Sequence, residues 1–219
     1  GFQRVADAGN FTRAVRRLYG ATSTKGSTVR VPVPQGDAPR TAIAKAFPIS
    51  IDAAMFEEMA RRPDIQARAD EIRAELGNPE TIYLGVDRLD YTKGIRHRLK
   101  AFGELLRDGR TKAGESVLVQ VASPSRERVE AYMQLRDEIE LTVGRINGDY
   151  ATISNSAIAY LHHGYPREEM VALYLAADVM LVTALRDGMN LVAKEYVACR
   201  HDNDGVLILS EFAGAADEL

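Results

Sequence analysis

Leu185-Arg186-Asp187-Gly188-Met189-Asn190-Leu191-Val192-Ala193-Lys194-Glu195 follows directly on the apolar run Val179-Met180-Leu181-Val182 and two further residues. A buried strand, a turn containing glycine and a run of helix formers succeed one another here, the β–α junction from which parallel sheets are built. The same succession recurs along the chain. Ile82-Tyr83-Leu84-Gly85-Val86 leads into Asp87-Arg88-Leu89-Asp90-Tyr91-Thr92-Lys93-Gly94 and an amphipathic helix ending near Asp108-Gly109. Val117-Leu118-Val119-Gln120-Val121 leads into Ala122-Ser123-Pro124-Ser125-Arg126 and a helix from about Arg126 to Val143, with Val129, Tyr132, Met133, Ile139 and Val143 on one face. Val206-Leu207-Ile208-Leu209 leads into Ser210-Glu211-Phe212-Ala213-Gly214-Ala215-Ala216, and Ile158 to Leu161 is a weaker strand candidate. Helices are expected over about Arg167 to Ala177 and Asn190 to Cys199, and a polar, irregular stretch over 144–156. Short, nearly continuous apolar strands alternating with helices imply an α/β fold, a Rossmann-like parallel sheet covered by helices on both faces. Such sheets bind ligands at the carboxyl ends of their strands, so the chemistry should lie just after Val86, Val121, Val182 and Leu209.

The first eighty residues are less regular. Residues 4–19 read as a helix, with Val5, Ala8, Phe11, Val15, Leu18 and Tyr19 at helical spacing. Residues 22–27 read as a loop, Val29, Val31 and Val33 as a strand near a sheet edge, Ile43 to Ile49 as a strand interrupted at Pro48, and 53–76 as helix broken near Pro63. The chain opens on Gly1 and stops at Leu219 just after a strand-like run, and it is read as part of a longer protein.

Composition excludes several classes of function. With 46% hydrophobic and 27% charged residues in 219, a disordered chain is excluded. The 28 basic and 31 acidic residues leave a net charge of −3, so no broad positive field favours nucleic acid as a partner. No apolar run approaches the roughly 18 residues of a membrane span, so no membrane partner is expected. Cys199 is the only cysteine, which rules out an internal disulfide and fits a reducing, cytoplasmic location. The dinucleotide fingerprint, the phosphate loop and the nucleophile elbow are all missing. Cys199, His97, His162, His163 and His201 lack zinc spacing, so neither metal nor cofactor is expected, and His162-His163 is read as a surface or packing pair.

Each strand-end loop offers two readings. Arg88 and Lys93 could aim a planar fork and a compact charge at one anion, or Arg88 could pair with Asp87 or Asp90 in a solvated turn. Ser123 or Ser125 could cap the next helix, placing Arg126 in its first turn, where a cation opposes the helix dipole unless a ligand anion compensates. In the loop after Val182, Gly188 permits close approach and the helix beginning at Asn190 offers free N–H groups to a phosphate, with Glu195 over one turn further on where a ribose would sit. Alternatively Asp187 is a simple cap and Glu195 pairs with Arg200. The small residues after Leu209 allow backbone donors near a ligand or plain packing.

Four stretches, Gly85 to Gly94, Gly144-Arg145-Ile146-Asn147-Gly148, Leu185 to Ala198 and Leu209 to Ala216, resemble the trehalose-6-phosphate synthase family, and the likeness runs from Gly1-Phe2-Gln3 to Leu219. The family consists of retaining glycosyltransferases with two facing Rossmann-like domains, the GT-B arrangement. The resemblance implies that residues 1–50 are the end of an N-terminal domain and the crossing segment, and that 51–219 are a nucleotide-sugar-binding domain truncated at its C-terminal end. It also implies contacts from Arg88 and Lys93 to the donor diphosphate, from Glu195 to the donor ribose and from Asp187 to hydroxyls of the donor glucose. Backbone at Gly188, Met189, Asn190, Leu191 and Val192 would line sugar and diphosphate. Arg126 would hold the phosphate of glucose 6-phosphate, and Tyr165 would lie near the base. Arg88, Lys93 and Asp187 are the expected catalytic residues, Asp187 being also a nucleophile candidate on chemistry alone. The partners implied are UDP-glucose or another nucleoside-diphosphate glucose and glucose 6-phosphate, with a homo-oligomeric whole protein. Ser50 stands where the family has glycine. Two other functions are weighed: a sugar-nucleotide transferase with a different acceptor, and a non-catalytic regulatory module of the same fold.

Overall fold

The apolar run from Ser116 to Ala122 is buried at every residue, so the sheet is covered on both faces. In the computed structural model, which describes residues 1–25, 28–32 and 38–219, the described residues form two units, Gly1–Ser50 and Ile51–Leu219.

In the first unit, helix α1 (Val5–Tyr19) forms as its periodicity predicts, but it buries Ala8 and Thr12 and leaves Val5 and Leu18 exposed. Strands β1 (Thr22–Lys25), β2 (Thr28–Val31) and β3 (Arg40–Ile43) make an antiparallel sheet in that order. This corrects three expectations. Thr22–Lys25 is a strand rather than a loop, because it pairs with β2. The strand containing Val29 is central rather than at an edge, and Val29 is buried beneath it. Pairing with β2 ends at Ile43, and among the described residues the stretch from there to Ile49 makes one isolated parallel bridge, Ala46 to Phe2. Val33 lies outside the described residues.

The second unit opens with α2 (Ala53–Ala60), capped by the Asp52 carboxylate on the Met55 N–H, and α3 (Pro63–Glu75), whose proline sits at the first position, where a missing N–H costs nothing. Then follow β4 (Thr81–Arg88), α4 (Ile95–Arg107), β5 (Ser116–Ser123), α5 (Glu130–Tyr150), β6 (Ile158–Leu161), α6 (Arg167–Ala176), β7 (Val179–Val182), α7 (Leu191–Cys199) and β8 (Val206–Leu209). The five strands are parallel in the order β6-β5-β4-β7-β8, so the expected α/β fold is borne out. Ile82, Leu84, Val117, Val119, Met180 and Val182 face α2, α3, α6 and α7, while Leu118, Ala122 and Ile158 face α4 and α5. Among the described residues no helix is long and apolar enough to cross a membrane.

Helix α5 departs most from its sequence reading. It starts at Glu130 rather than near Arg126, because Pro124 and the left-handed backbone of Arg126 (φ 49°) keep the preceding loop out of helix. It runs on to Tyr150 through Gly144 and Gly148, where propensity alone would end it. Buried Val143 and Ile146 hold it, and the Asn147 amide bonds both the N–H and the carbonyl of Ile158 at 2.9 Å.

Candidate functional site

The chain passes from β4 outward through β5 to β6 and then crosses to β7 on the other side of β4. Strands β4 and β7 are therefore the switch point, where open α/β sheets form their binding crevice. They share only two registered pairs, Tyr83–Val179 and Leu84–Met180, and then diverge. The Arg98 guanidinium of α4 fills the divergence. It donates to Asp87 Oδ2 and Gln120 Oε1, each at 2.7 Å, and to Thr183 Oγ1 at 3.2 Å. Gly85 makes this possible, since a side chain there would overlap the guanidinium. With side-chain exposures of 1% and 4%, Arg98 and Asp87 form a buried ion pair under the site.

Above that pair lies a cleft of about 450 Å³ lined by Val86, Asp87, Arg88, Lys93, Ser123, Asp187, Asn190, Leu191 and Val192. Arg88 is exposed and has no carboxylate partner among the described residues; Asp87 is taken by Arg98, and Asp90 by other donors. Lys93 is largely buried and pairs with Asp187 Oδ2 at 2.6 Å. Asp187 also accepts from Asn190 Nδ2 at 3.2 Å and from the Met189 N–H at 3.4 Å. Burial pushes its carboxyl up, but Lys93, Asn190 and the Met189 amide outweigh burial and hold it below the ordinary aspartate range. Asp187 therefore stays ionised as an acceptor, and its attraction to Lys93 fades only as pH falls through that lowered range.

The cap of α7 is Asn190, not Asp187. Its Oδ1 accepts the Ala193 N–H at 3.0 Å, and its backbone is strained to φ 81°. The first-turn N–H groups that follow, at Leu191 and Val192, have no acceptor within the helix and border the cleft. Glu195 lies one turn further along α7, outside the cleft lining, and is hydrogen-bonded by the Tyr174 hydroxyl at 2.8 Å. It does not pair with Arg200, which bonds the Leu175 carbonyl at 2.9 Å and lies 3.4 Å from Asp202.

The loop after β8 supports its neighbour. The Gly214 N–H bonds the Asp187 carbonyl at 3.0 Å, the Ala215 N–H bonds the Met189 carbonyl at 2.6 Å, and the Asp187 N–H bonds the Phe212 carbonyl at 3.1 Å. Its backbone donors are therefore spent on the 187–189 turn. A Cβ on Gly214 would overlap the Gly188 carbonyl. Gly214→Ala should accordingly cost about 1–3 kcal/mol of stability, because the Asp187 turn must shift to admit the methyl. Thermal denaturation checks this; an unchanged melting temperature would show that the turn yields freely.

Arg126 and Tyr165 fall outside the cleft lining. Arg126 is exposed in the loop before α5, so the dipole argument made for it fails; its guanidinium lies 5.6 Å from the Tyr132 ring centroid and 3.3 Å from the Tyr132 hydroxyl. That hydroxyl donates to Asp90 Oδ2 at 3.0 Å, while Asp90 Oδ1 accepts from Thr92 N and Oγ1 at 2.9 and 2.8 Å. This network ties the loops after β4 and β5 together, and burial of Asp90 is outweighed by those bonds, which hold its carboxyl below the ordinary range. Tyr165 instead lines a separate cavity of about 160 Å³ with Ile72, Leu76, Val119, Leu161 and Leu173, and its ring lies 4.5 Å from that of His163. His162 bonds the Ala122 carbonyl at 2.9 Å, consistent with a packing role. Arg98, Gln120, Thr183, Tyr132 and Tyr174 were not singled out by the sequence. The signal that could have found Arg98 is a basic residue on the otherwise apolar face of α4, beside Ile95, Leu99 and Phe102.

Fold and site together define a Rossmann-like α/β domain with a cationic cleft at the sheet's switch point. The chain belongs to glycosyltransferase family 20, whose model matches residues 1–219. It is 57% identical over 222 residues to the trehalose-6-phosphate synthase of Mycobacterium avium (strain 104), covering 100% of this chain and 45% of that protein. Among solved structures it is similar to an α,α-trehalose-phosphate synthase (UDP-forming) from Burkholderia xenovorans in complex with glucose-6-phosphate, with TM-score 0.89, 36% identity and coverage of 100% of this chain and 48% of the other. A trehalose-6-phosphate structure from E. coli bound with UDP-2-fluoro glucose gives TM-score 0.87, 35% identity and coverage of 100% and 47%. The chain thus spans about half the length of these relatives.

Proposed function

We propose that this chain is the donor-binding part of a trehalose-6-phosphate synthase. The whole protein would transfer glucose from a nucleoside-diphosphate glucose, UDP-glucose in this reading, to the anomeric hydroxyl of glucose 6-phosphate, giving α,α-trehalose 6-phosphate with retention. Gly1–Ser50 would be the end of an N-terminal domain and the crossing segment, and Ile51–Leu219 the nucleotide-sugar domain. The observation that carries the reading is the shared cleft of Arg88, Lys93 and the start of α7: two cations and a helix N-terminus converge from both sides of the switch point. The nucleotide sugar named for the E. coli structure and the sugar phosphate named for the Burkholderia structure support the choice of substrates.

In this mechanism the glycosidic C–O bond to the diphosphate breaks while Arg88, Lys93 and the first-turn amides of α7 receive the charge developing on the leaving oxygen. The acceptor hydroxyl attacks from the same face and passes its proton to that phosphate oxygen, which gives retention without a covalent enzyme intermediate. Asp187 serves as acceptor for sugar hydroxyls. Its ion pair and further donors lower its basicity, which argues against a nucleophilic role. Arg126 meets the acceptor phosphate.

Calorimetric titration should show weak UDP binding by the 219-residue chain, and a coupled assay should show no turnover until the rest of the protein is present, since orientation of the acceptor contributes about 7–11 kcal/mol. A folded sample that binds no nucleotide would sink the reading. In the full-length protein, Arg126→Ala should raise KM for glucose 6-phosphate roughly 10- to 100-fold, through loss of one charge-assisted bond, and leave that for the donor nearly unchanged. Equal movement of both constants would make Arg126 structural.

A further inference from the structure

We propose that Tyr174 is a positioning residue for nucleotide recognition: its hydroxyl fixes the Glu195 carboxylate so that the remaining acceptor sites meet the two vicinal hydroxyls of the ribose. This rests on the reading of Glu195 as the ribose ligand.

Tyr174 stands on α6 with 1% exposure, and its ring meets Tyr196 of α7 edge-on, with centroids 6.3 Å apart and an interplanar angle of 86°. Packed in this way the ring cannot swing. Its hydroxyl donates to Glu195 Oε2 at 2.8 Å. Burial first, and then the charge of Glu195, hold the phenol's pKa far above its ordinary value, so it stays protonated and remains a donor.

The state of Glu195 is what points to a ligand. Other shielded carboxylates of this unit are better satisfied: Asp87 has Arg98, Asp187 has Lys93, Asp178 has Arg73, and Asp90, which has no cation, accepts from three neutral donors, Thr92 N, Thr92 Oγ1 and the Tyr132 hydroxyl. Glu195 is half-buried, yet among the described residues no cation pairs with it, and Tyr174 is the one donor to its carboxylate. An ionised carboxylate offers about four acceptor positions, and shielded acceptors are normally satisfied. A carboxylate held by one neutral donor suits further neutral donors, and a vicinal diol supplies two at matching separation. Glu195 also follows Leu191 and Val192 of the cleft wall by one helical turn, the step from a diphosphate to its ribose. Held by Tyr174, the long glutamate side chain has already lost rotamer freedom that the ligand would otherwise have to remove.

Tyr174→Phe deletes a single oxygen and keeps the ring. Calorimetry on the full chain with UDP, 2′-deoxy-UDP and inorganic pyrophosphate is the test. Tyr174→Phe should weaken UDP about 3- to 10-fold, shrink the preference for UDP over 2′-deoxy-UDP and leave pyrophosphate unchanged. Glu195→Gln should do the same or more, and the double variant should be no worse than Glu195→Gln alone. If Glu195→Gln loses the ribose preference while Tyr174→Phe keeps it, or weakens UDP and pyrophosphate alike, the positioning role is overturned and the ribose reading stands. If Glu195→Gln keeps the preference, or the unaltered chain shows none, the ribose reading fails and this proposal fails with it.

Discussion

Arg88→Ala and Lys93→Ala, each made in the full-length protein, should lower turnover roughly 10²- to 10³-fold, the usual loss when one preorganised donor to a developing oxyanion is removed. Both side chains line the cleft below the α7 N-terminus. They differ in their unliganded partners, and that difference predicts a second effect. Among the described residues Arg88 has no carboxylate to release, so its loss should also weaken ground-state binding of UDP. Lys93 is held by Asp187 at 2.6 Å, and a diphosphate must share or displace that bond. Lys93→Ala would free the Asp187 carboxylate beside the phosphates, adding repulsion to the lost attraction. Its UDP affinity should therefore fall further than that of Arg88→Ala, and Lys93→Ala combined with Asp187→Asn should recover part of the binding but not the turnover. Initial rates with UDP-glucose and glucose 6-phosphate, together with UDP titrations, would decide. Turnover near that of the unaltered protein in either single variant would remove the residue from leaving-group stabilisation.

The largest effect on stability is expected at Arg98. Arg98→Ala would leave Asp87 as an unpaired carboxylate at 4% side-chain exposure, and would strip Gln120 and Thr183 of their shared donor. Breaking a buried pair from one side typically costs about 3–5 kcal/mol. Because Asp87 borders the cleft, its uncovered charge would also oppose phosphate binding. Arg98→Met combined with Asp87→Leu should be far milder in urea unfolding, since apolar replacement of both partners avoids the stranded charge. A loss below about 1 kcal/mol in Arg98→Ala would show that water reaches the divergence between β4 and β7 and solvates the carboxylate.

Local chemistry made most of the fold legible. The apolar runs at β4, β5, β6, β7 and β8 and the periodic helices between them are short-range patterns, and the strand-end rule then located the loops carrying Arg88, Lys93 and Asp187. Where the reading failed, a distant partner decided the outcome. Thr22–Lys25 is a strand because β2 lies beside it. Helix α5 passes two glycines because Asn147 is bonded to Ile158, and Arg126 is outside that helix because its own backbone is left-handed.

The sequence by itself determined that this is a parallel α/β chain with cations and a helix start at its strand ends, because burial periodicity and turn chemistry act between near neighbours. Tertiary structure alone decided which of those strand ends face one another. The order β6-β5-β4-β7-β8 puts the divergence between β4 and β7, which pairs Lys93 with Asp187 across 94 residues and Arg98 with Thr183 across 85. It leaves Tyr165 and Arg126 outside the cleft and sets Tyr174 against Glu195. The physical reason is that charge pairing and hydrogen bonding depend on distance in space, and in a crossover fold that distance is set by strand order, which no local pattern encodes.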